Sequence, residues 1–261
     1  MSDFKAVTAF RLTASLEYEE VGPGGEIQHG TLGQESYTMQ AKTYARMIAL
    51  TRPDIINDDL GAFDDLRNRL GRGAALKLNS VFWAAFLDNS TFFTGAHGNY
   101  QEGAETALGE DGVALAAAEK LFLDLSDDDG HPLGITPALL LVPTALGVTA
   151  RKLYASQEMR DTTADTGYLT ANLFFNRFKP LVSAYIGANA PANGSDTHWF
   201  LLADPANLAV MEVGFLDGQE SPTVESADAD FDQLGIQFRG YHDFGCSLAE
   251  WRAGVKSKGA A

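Results

Sequence analysis

The most regular pattern of apolar and polar positions in the chain lies near its end. Across residues 234–248, every second residue falls on one mostly apolar face, which carries Phe238, His242, Phe244 and Cys246. Alternation with a period of two predicts a β-strand. Fifteen residues of strand span roughly 50 Å, whereas a typical strand has about five or six residues. We therefore expect one unusually long strand here.

Two further alternating segments, residues 10–21 and 36–51, predict a two-stranded arm near the start of the chain. The sequence between them, GPGGEIQHGTLG, is rich in turn-forming residues. An isolated hairpin is at best marginally stable in water. We therefore expect this arm to lie on its own domain or on another subunit.

From residue 59 onward the period of the apolar positions changes to about 3.6, which predicts a long helix over residues 59–87. Asp58 and Asp59 stand at its start, where carboxylates favour the positive end of a helix. Gly71 and Gly73 lie in its middle, and each weakens a helix by up to about 1 kcal/mol relative to alanine. We expect one helix, with these glycines as the place of any bend.

The middle of the chain predicts a mixture of helices and strands. Helices are expected over residues 112–125 and 144–156, and a buried strand over the apolar run at 138–143. The segments KPLVSAYIG, HWFLLAD and AVMEVGFLDG predict three more strands. The expected fold class is α+β.

Composition excludes several classes of protein. The chain has 261 residues, of which 45% are apolar and 21% charged, as in ordinary soluble globular proteins. A net charge of −16 argues against a protein that holds nucleic acid on a basic face. One cysteine excludes an internal disulfide. Neither a signal-peptide pattern nor a membrane-spanning apolar run is present in the sequence, so we expect a cytoplasmic product with no membrane partner.

The stretch FRGYHDFGC, residues 238–246, contains candidates for chemistry. Its DFG triplet lacks the other parts of a kinase. Its HD pair resembles the start of a metal phosphohydrolase site, but alternation directs His242 and Asp243 to opposite faces of a strand. Cys246 on the apolar face favours a buried, inert thiol over a nucleophile. A soluble enzyme that uses His242, Asp243 and Cys246 is the least favoured hypothesis.

Other motifs fail at required positions. In DLSDDDGHPLGI, a calcium loop with Gly130 in sixth place has Leu125 first and Thr136 twelfth, where acidic ligands are needed. GPGGEIQHG lacks the GK[ST] ending of a phosphate loop, and the remaining histidines lack zinc-ligand spacings. The residues alone therefore favour an oligomeric protein that is not an enzyme and has no catalytic residues, cofactor or metal.

Four stretches, taken in order, resemble the major capsid proteins of tailed bacteriophages, specifically the Mu-like major head subunit group. They are TRPDIINDDLGAFDDL, GITPALLLVPTALGVTARKLYAS, HWFLLADPANLAVMEVGFLDGQESPTVES and DFDQLGIQFRGYHDFGCSLAEWRAGVKSKG. From first to last they span about four-fifths of the chain. An ordered set of this kind is far more specific than any single motif above.

This resemblance implies the Hong Kong-type capsid fold, an α+β fold with long strands. It places an N-terminal arm at residues 1–9 and an extended loop, the two-stranded arm, at 10–54. The peripheral domain, which holds the long spine helix, takes residues 55–126 and 220–261, and the axial domain takes 127–219. The implied function is a structural head subunit that forms pentamers and hexamers of an icosahedral shell around the genome of a double-stranded DNA phage or prophage.

The implied partners are further copies of the chain, a portal protein, a scaffolding protein and decoration proteins, with only weak and non-specific contact to packaged DNA. The implied location is the virion, and the host cytoplasm during assembly. An encapsulin-like compartment shell is the main alternative. The expected assembly contacts are charged residues: Glu26, Lys42, Arg46, Arg52, Asp58, Asp59, Arg239 and Asp243.

Two features of the family are expected to be missing. Many members begin with a scaffolding segment that is cleaved during maturation, and we expect this chain to lack one. Some members crosslink their subunits through a lysine on the extended loop. Lys42 is the only lysine of the arm and stands away from its glycine-rich tip, so we expect no such crosslink.

Overall fold

The computed structural model describes residues 1–14, 32–57, 65–127, 130–160, 169–190, 193–228 and 234–260, with the backbone alone at 11–14, 32–35, 160 and 169. Its strands are β1 Val7–Ala14, β2 Leu32–Met39, β3 Lys42–Thr51, β4 Tyr100–Gln101, β5 Pro137–Pro143, β6 Glu158–Arg160, β7 Leu169–Ala171, β8 Lys179–Ser183, β9 Trp199–Ala203, β10 Met211–Phe215, β11 Thr223–Asp228, β12 Gly235–Leu248 and β13 Gly254–Ser257. Its helices are α1 Arg52–Ile56, α2 Leu66–Leu87, α3 Val113–Leu123 and α4 Gly147–Ala155.

The chain divides into two compact units. Unit 1 comprises Met1–Thr8, Thr38–Ala85 and Glu212–Ser247, and unit 2 comprises Ala9–Tyr37, Phe86–Met211 and Leu248–Ala261. Each unit is therefore built from segments that are distant in the sequence. No helix in the described parts of the chain has the length and apolar character needed to cross a membrane.

Unit 1 is built around β12. β3 runs antiparallel to β12 from the pair Gly235 and Thr51 to the pair Phe244 and Lys42. β11 also runs antiparallel to β12, and it pairs with residues 236–241. Because β3 and β11 pair with the same residues, they lie on opposite edges of β12. β10 is the fourth strand of this sheet.

The long closing strand predicted from alternation is confirmed, since β12 has 14 residues. The prediction of one strand over residues 36–51 is wrong. β2 pairs with β1 in a separate two-stranded sheet, whereas β3 belongs to the sheet of β12. The break falls at Gln40, whose carbonyl oxygen would lie 2.3 Å from a Cβ at Gly245. Because Gly245 has no side chain, the backbone at Gln40 can pack directly against β12 at the point where β3 begins.

Helix α2 covers one face of the unit 1 sheet. Leu70 lies against Gly240, where an added Cβ would meet the Leu70 Cβ at 3.4 Å. Arg67 lies over the Phe238 ring, with its Cζ atom 6.0 Å from the ring centroid. The helix continues through Gly71 and Gly73 to Leu87, as predicted. Its predicted first turn, with Asp58 and Asp59, falls outside the described residues.

The short helix α1 was not predicted by the apolar periodicity. Thr51 precedes it, and both the Thr51 N–H and the Thr51 Oγ1 donate hydrogen bonds to Asp54 Oδ2, at 3.1 and 2.5 Å. These bonds lower the pKa of the Asp54 carboxyl. The sequence TRPD thus carries a capping arrangement with proline in the first turn, which favours a helix start.

Unit 2 contains a five-stranded sheet in the order β4-β13-β9-β5-β8. β13 and β5 run antiparallel to β9, whereas β4 and β8 are parallel to their neighbours. α3 packs on β9 and β13, and α4 packs on β5 and β8. The core holds Trp199, whose indole Nε1 donates to the Thr106 carbonyl at 3.0 Å. The predicted helices at 112–125 and 144–156 and the predicted strand at 138–143 are confirmed, with boundaries that differ by a few residues.

Candidate assembly surface

The structure places five of the eight predicted contact residues. Lys42 and Arg46 lie on β3, and Arg52 is the first residue of α1. Arg239 and Asp243 lie on β12. The other three, Glu26, Asp58 and Asp59, fall outside the described residues.

Strand register separates the placed residues of the sheet into two groups. Lys42 is paired with Phe244, and Arg46 with Gly240, so both lie on the face that α2 covers. Arg239 and Asp243 occupy odd-numbered positions of β12 and lie on the opposite face. The structure therefore does not bring these four residues into one cluster.

Arg239 is held by a charge partner on the neighbouring strand. It is paired in register with Glu225 of β11, and its Nε donates to Glu225 Oε2 at 2.7 Å. Its Nη2 lies 2.6 Å from the same oxygen. Both side chains are substantially exposed, at 66% and 43%. The pair thus presents a fixed charge arrangement at the surface of this unit.

His242 is a core residue of unit 1. It is only 4% exposed, and its ring stacks on that of Phe215 at a centroid distance of 5.5 Å. Phe244 lies 5.1 Å away by the same measure. Neither ring nitrogen of His242 has a hydrogen-bond partner among the described residues. The histidine therefore fills space between aromatic rings, as expected from its position on the apolar face.

Asp243 and Cys246 do not complete a chemical site with His242. No group of three or more His, Cys, Asp or Glu residues in the described parts of the chain is arranged to hold a metal ion. Burial raises the pKa of the Cys246 thiol to about 11, so the thiol is protonated at neutral pH. A thiol in this state is a poor nucleophile.

A groove lies between α2 and β3 within unit 1. It has a volume of about 750 Å³. We call it the cationic groove and define it by three basic and three apolar or aromatic residues. They are Arg46, Arg69 and Lys77, together with Tyr44, Ile48 and Leu70.

The charge of the cationic groove is opposite to that of the chain. None of the described residues that line the groove is acidic, although the whole chain carries −16. Lys77 Nζ lies 5.2 Å from the Tyr44 ring centroid, within cation–π range. Arg69 Nε lies 3.4 Å from a carboxylate oxygen of Asp65, an exposed residue that does not line the groove. The groove is therefore a local positive site on an acidic protein.

Sequence reasoning identified Arg46 but missed Arg69 and Lys77. A signal was present, because Arg69, Gly73 and Lys77 follow each other at intervals of four residues and so share one face of a helix. Nothing in the sequence indicated that this face would lie beside β3.

Comparison with known families identifies the class of protein. The family described as "Phage capsid protein" matches residues 34–257. The chain belongs to the phage capsid protein family. The match covers most of the chain and includes β3, α2 and β12. No curated protein matches the sequence.

Solved capsid structures share the fold of this phage capsid protein. The capsid structure of cyanophage P-SCSP1u has a TM-score of 0.65 at 10% identity, over 100% of this chain and 85% of that chain. The capsid of Myoviridae phage XM1 has a TM-score of 0.63 at 13% identity, over 97% and 85%. A chain of Mycobacterium phage Adephagia has a TM-score of 0.56 at 15% identity, over 95% and 80%. The α+β capsid fold that the sequence resemblance implies is confirmed, and these comparisons support a major capsid protein.

Proposed function

We propose that this phage capsid protein is the major head subunit of a tailed double-stranded DNA phage or prophage, of the Mu-like group. It assembles as pentamers and hexamers into an icosahedral shell, with no catalytic step and no cofactor. The family match over residues 34–257 carries this proposal. Four ordered stretches of the sequence resemble the Mu-like group and support the finer assignment.

The proposed assignment of residues to domains follows the family resemblance. Residues 1–9 form the N-terminal arm, and the extended loop starts at residue 10. Residues 55–126 and 220–261 form the peripheral domain around α2 and β12, and residues 127–219 form the axial domain. The pairing of β3 with β12 supports one refinement, because it adds Lys42–Thr51 to the sheet of the peripheral domain.

The proposed partners are other copies of the chain, a portal protein, a scaffolding protein and decoration proteins. Contact with the packaged DNA is weak and non-specific, since a chain with a net charge of −16 repels phosphate over most of its surface. Assembly takes place in the host cytoplasm and ends in the virion. Lys42, Arg46, Arg52, Arg239 and Asp243 are proposed contacts between subunits, as are Glu26, Asp58 and Asp59.

Negative-stain electron microscopy of the purified protein tests the assignment. We expect closed shells of uniform size from the wild-type chain. Deletion of residues 22–33, the glycine-rich tip of the arm, is expected to leave folded subunits that no longer form shells. Normal shells from the deletion variant would show that the tip is not an assembly element, and a wild-type chain that stays monomeric would refute the proposed function.

A further inference from the structure

We propose that Asn193 is a modification site, where the side-chain amide is converted spontaneously to a carboxylate and its hydrogen bond to Asp88 is lost. Both residues belong to unit 2. Each step takes place within one chain, so the inference does not depend on the proposed function. It adds a chemical change that alters the subunit after it has folded.

The chain contains a single Asn-Gly pair, formed by Asn193 and Gly194. In such a pair, the backbone nitrogen of the glycine attacks the side-chain Cγ atom of the asparagine. A five-membered succinimide ring forms, and ammonia leaves. Glycine favours this step because it has no Cβ to oppose the close approach of the two groups. Water then opens the ring to aspartate or isoaspartate, so the net change is hydrolysis of an amide without oxidation or reduction.

The structure leaves both reacting groups accessible. The Asn193 side chain is exposed to the water that the reaction consumes. The Gly194 N–H donates no hydrogen bond to a described residue. Its nitrogen is therefore not held in place by a carbonyl acceptor, as it would be in a helix or a strand.

Backbone geometry explains why this reactive pair is present. A Cβ at Gly194 would lie 2.0 Å from the carbonyl oxygen of Gly187 and 2.4 Å from the Ala190 Cβ, so only glycine fits. Asn193 has a φ of 42°, in the left-handed region where asparagine is enriched. The turn therefore favours both residues for their conformation, and their reactivity is a consequence.

Conversion removes the bond between this turn and Asp88. Asn193 Nδ2 donates to Asp88 Oδ1 at 2.9 Å, and Asp88 directly follows the last residue of α2. After conversion to aspartate the donor is gone, and two carboxylates face each other. Like charges at such a short separation repel each other even in water. We therefore expect the nearby hydrogen bond from the Ser195 N–H to the Ile186 carbonyl to open more often.

Storage of the purified full chain in neutral buffer tests the chemistry. We expect mass spectrometry of its peptides to show conversion at Asn193 about tenfold or more faster than at Asn176. Asn176 is the matched control, because it is also exposed and has a φ of 58°, but is followed by Arg177. Equal rates at the two asparagines would overturn the proposal, since the glycine would then confer no reactivity.

Substitutions test the structural consequence. N193D introduces the product directly, whereas D88N/N193D exchanges the two groups, so that an amide again faces a carboxylate at the wild-type net charge. We expect N193D to speed hydrogen exchange of the Ser195 amide about fivefold or more, and the double variant to restore the wild-type rate. The Ser156 amide, which is bonded to the Lys152 carbonyl in the same unit, is the control and should not change.

Two results would contradict the loosening of the turn. One is unchanged exchange at Ser195 in N193D, and the other is exchange in D88N/N193D that stays as fast as in N193D. Aged wild-type protein gives a measurement that needs no substitution, because the fraction of chains with fast Ser195 exchange should rise with the fraction converted at Asn193. Converted chains that exchange as slowly as fresh protein would also overturn the proposal.

Discussion

Arg239 and Glu225 stand directly opposite each other on β12 and β11, with the Arg239 Nε 2.7 Å from Glu225 Oε2. Because both side chains are exposed, solvent screens their attraction. The pair therefore adds little to folding, while it fixes the direction in which a guanidinium points from the sheet. If Arg239 is a contact between subunits, as proposed, its replacement should affect assembly more than the stability of the subunit.

We predict that R239A lowers the free energy of unfolding by less than about 1 kcal/mol, as is usual for an exposed ion pair. If Arg239 contacts a neighbouring subunit, the same variant reduces shell formation. Chemical denaturation of the subunit and light scattering of assembling protein measure the two effects separately. E225A is the matched variant for the ion pair, and an R239A variant that forms shells as efficiently as wild type would contradict a role at the interface.

The glycine of the DFG triplet is predicted to be required by close packing. A Cβ at Gly245 would lie 2.3 Å from the backbone oxygen of Gln40, so G245A is expected to lower the free energy of unfolding by about 1–3 kcal/mol. In contrast, an added Cβ at Gly71 on α2 meets nothing within 4 Å. G71A is expected to raise stability by up to about 1 kcal/mol. Thermal melts of both variants measure these opposite effects on stability. A G245A variant with the wild-type melting temperature would contradict the prediction.

Cys246 is predicted to resist alkylation in the folded protein. Burial raises its pKa from 9.0 to about 11, so at pH 8 the folded chain holds about a hundredfold less thiolate than the unfolded chain. Iodoacetamide labelling followed by mass spectrometry should show a difference of at least that size. Since the folded state binds this proton more tightly, the stability it contributes is complete below pH 9 and falls between pH 9 and 11. Equal labelling rates in native and denatured protein would contradict the prediction.

His242 is predicted to be replaceable by an apolar residue. Both ring nitrogens are buried without a described partner, a situation that costs about 1–3 kcal/mol per unsatisfied group. We therefore expect H242L to leave the melting temperature unchanged or to raise it. F244A, on the same face of β12 and fully buried, serves as the control and should cost about 3–5 kcal/mol. A marked loss of stability in H242L would show that the ring has a partner.

Periodicity predicted the elements that carry one regular pattern over many residues. The alternation at 234–248 identified β12, and the 3.6-residue period identified α2 as far as Leu87. It failed at Gln40, because no glycine or proline separates Met39 from Lys42 and the alternation continues unbroken. At the boundary between β2 and β3, the backbone of Gln40 packs closely against Gly245, about two hundred residues further along the chain. A contact between residues so distant in sequence cannot be predicted from the local pattern of apolar and polar residues.

The candidate surface was predictable only in part, for the same reason. Arg46 could be selected as a charged residue on a strand, and Arg69 and Lys77 share a helix face that the sequence shows. Their combination into one groove depends on the packing of α2 against the face of the sheet that includes Gly240. The prediction that His242 and Asp243 do not act together in one site was easier, because strand geometry alone directs their side chains to opposite faces.

The central place of β12 also determines when unit 1 can finish folding. Its partners in β3 lie between 184 residues away, for Thr51 and Gly235, and 202 residues away, for Lys42 and Phe244. At roughly 5–20 residues per second of synthesis, β12 emerges about 10–40 s after β3. Until then β3 lacks the strand that fixes it beside α2, so the cationic groove is incomplete. The sheet of unit 1 and the cationic groove are therefore completed only after nearly the whole chain has been synthesised.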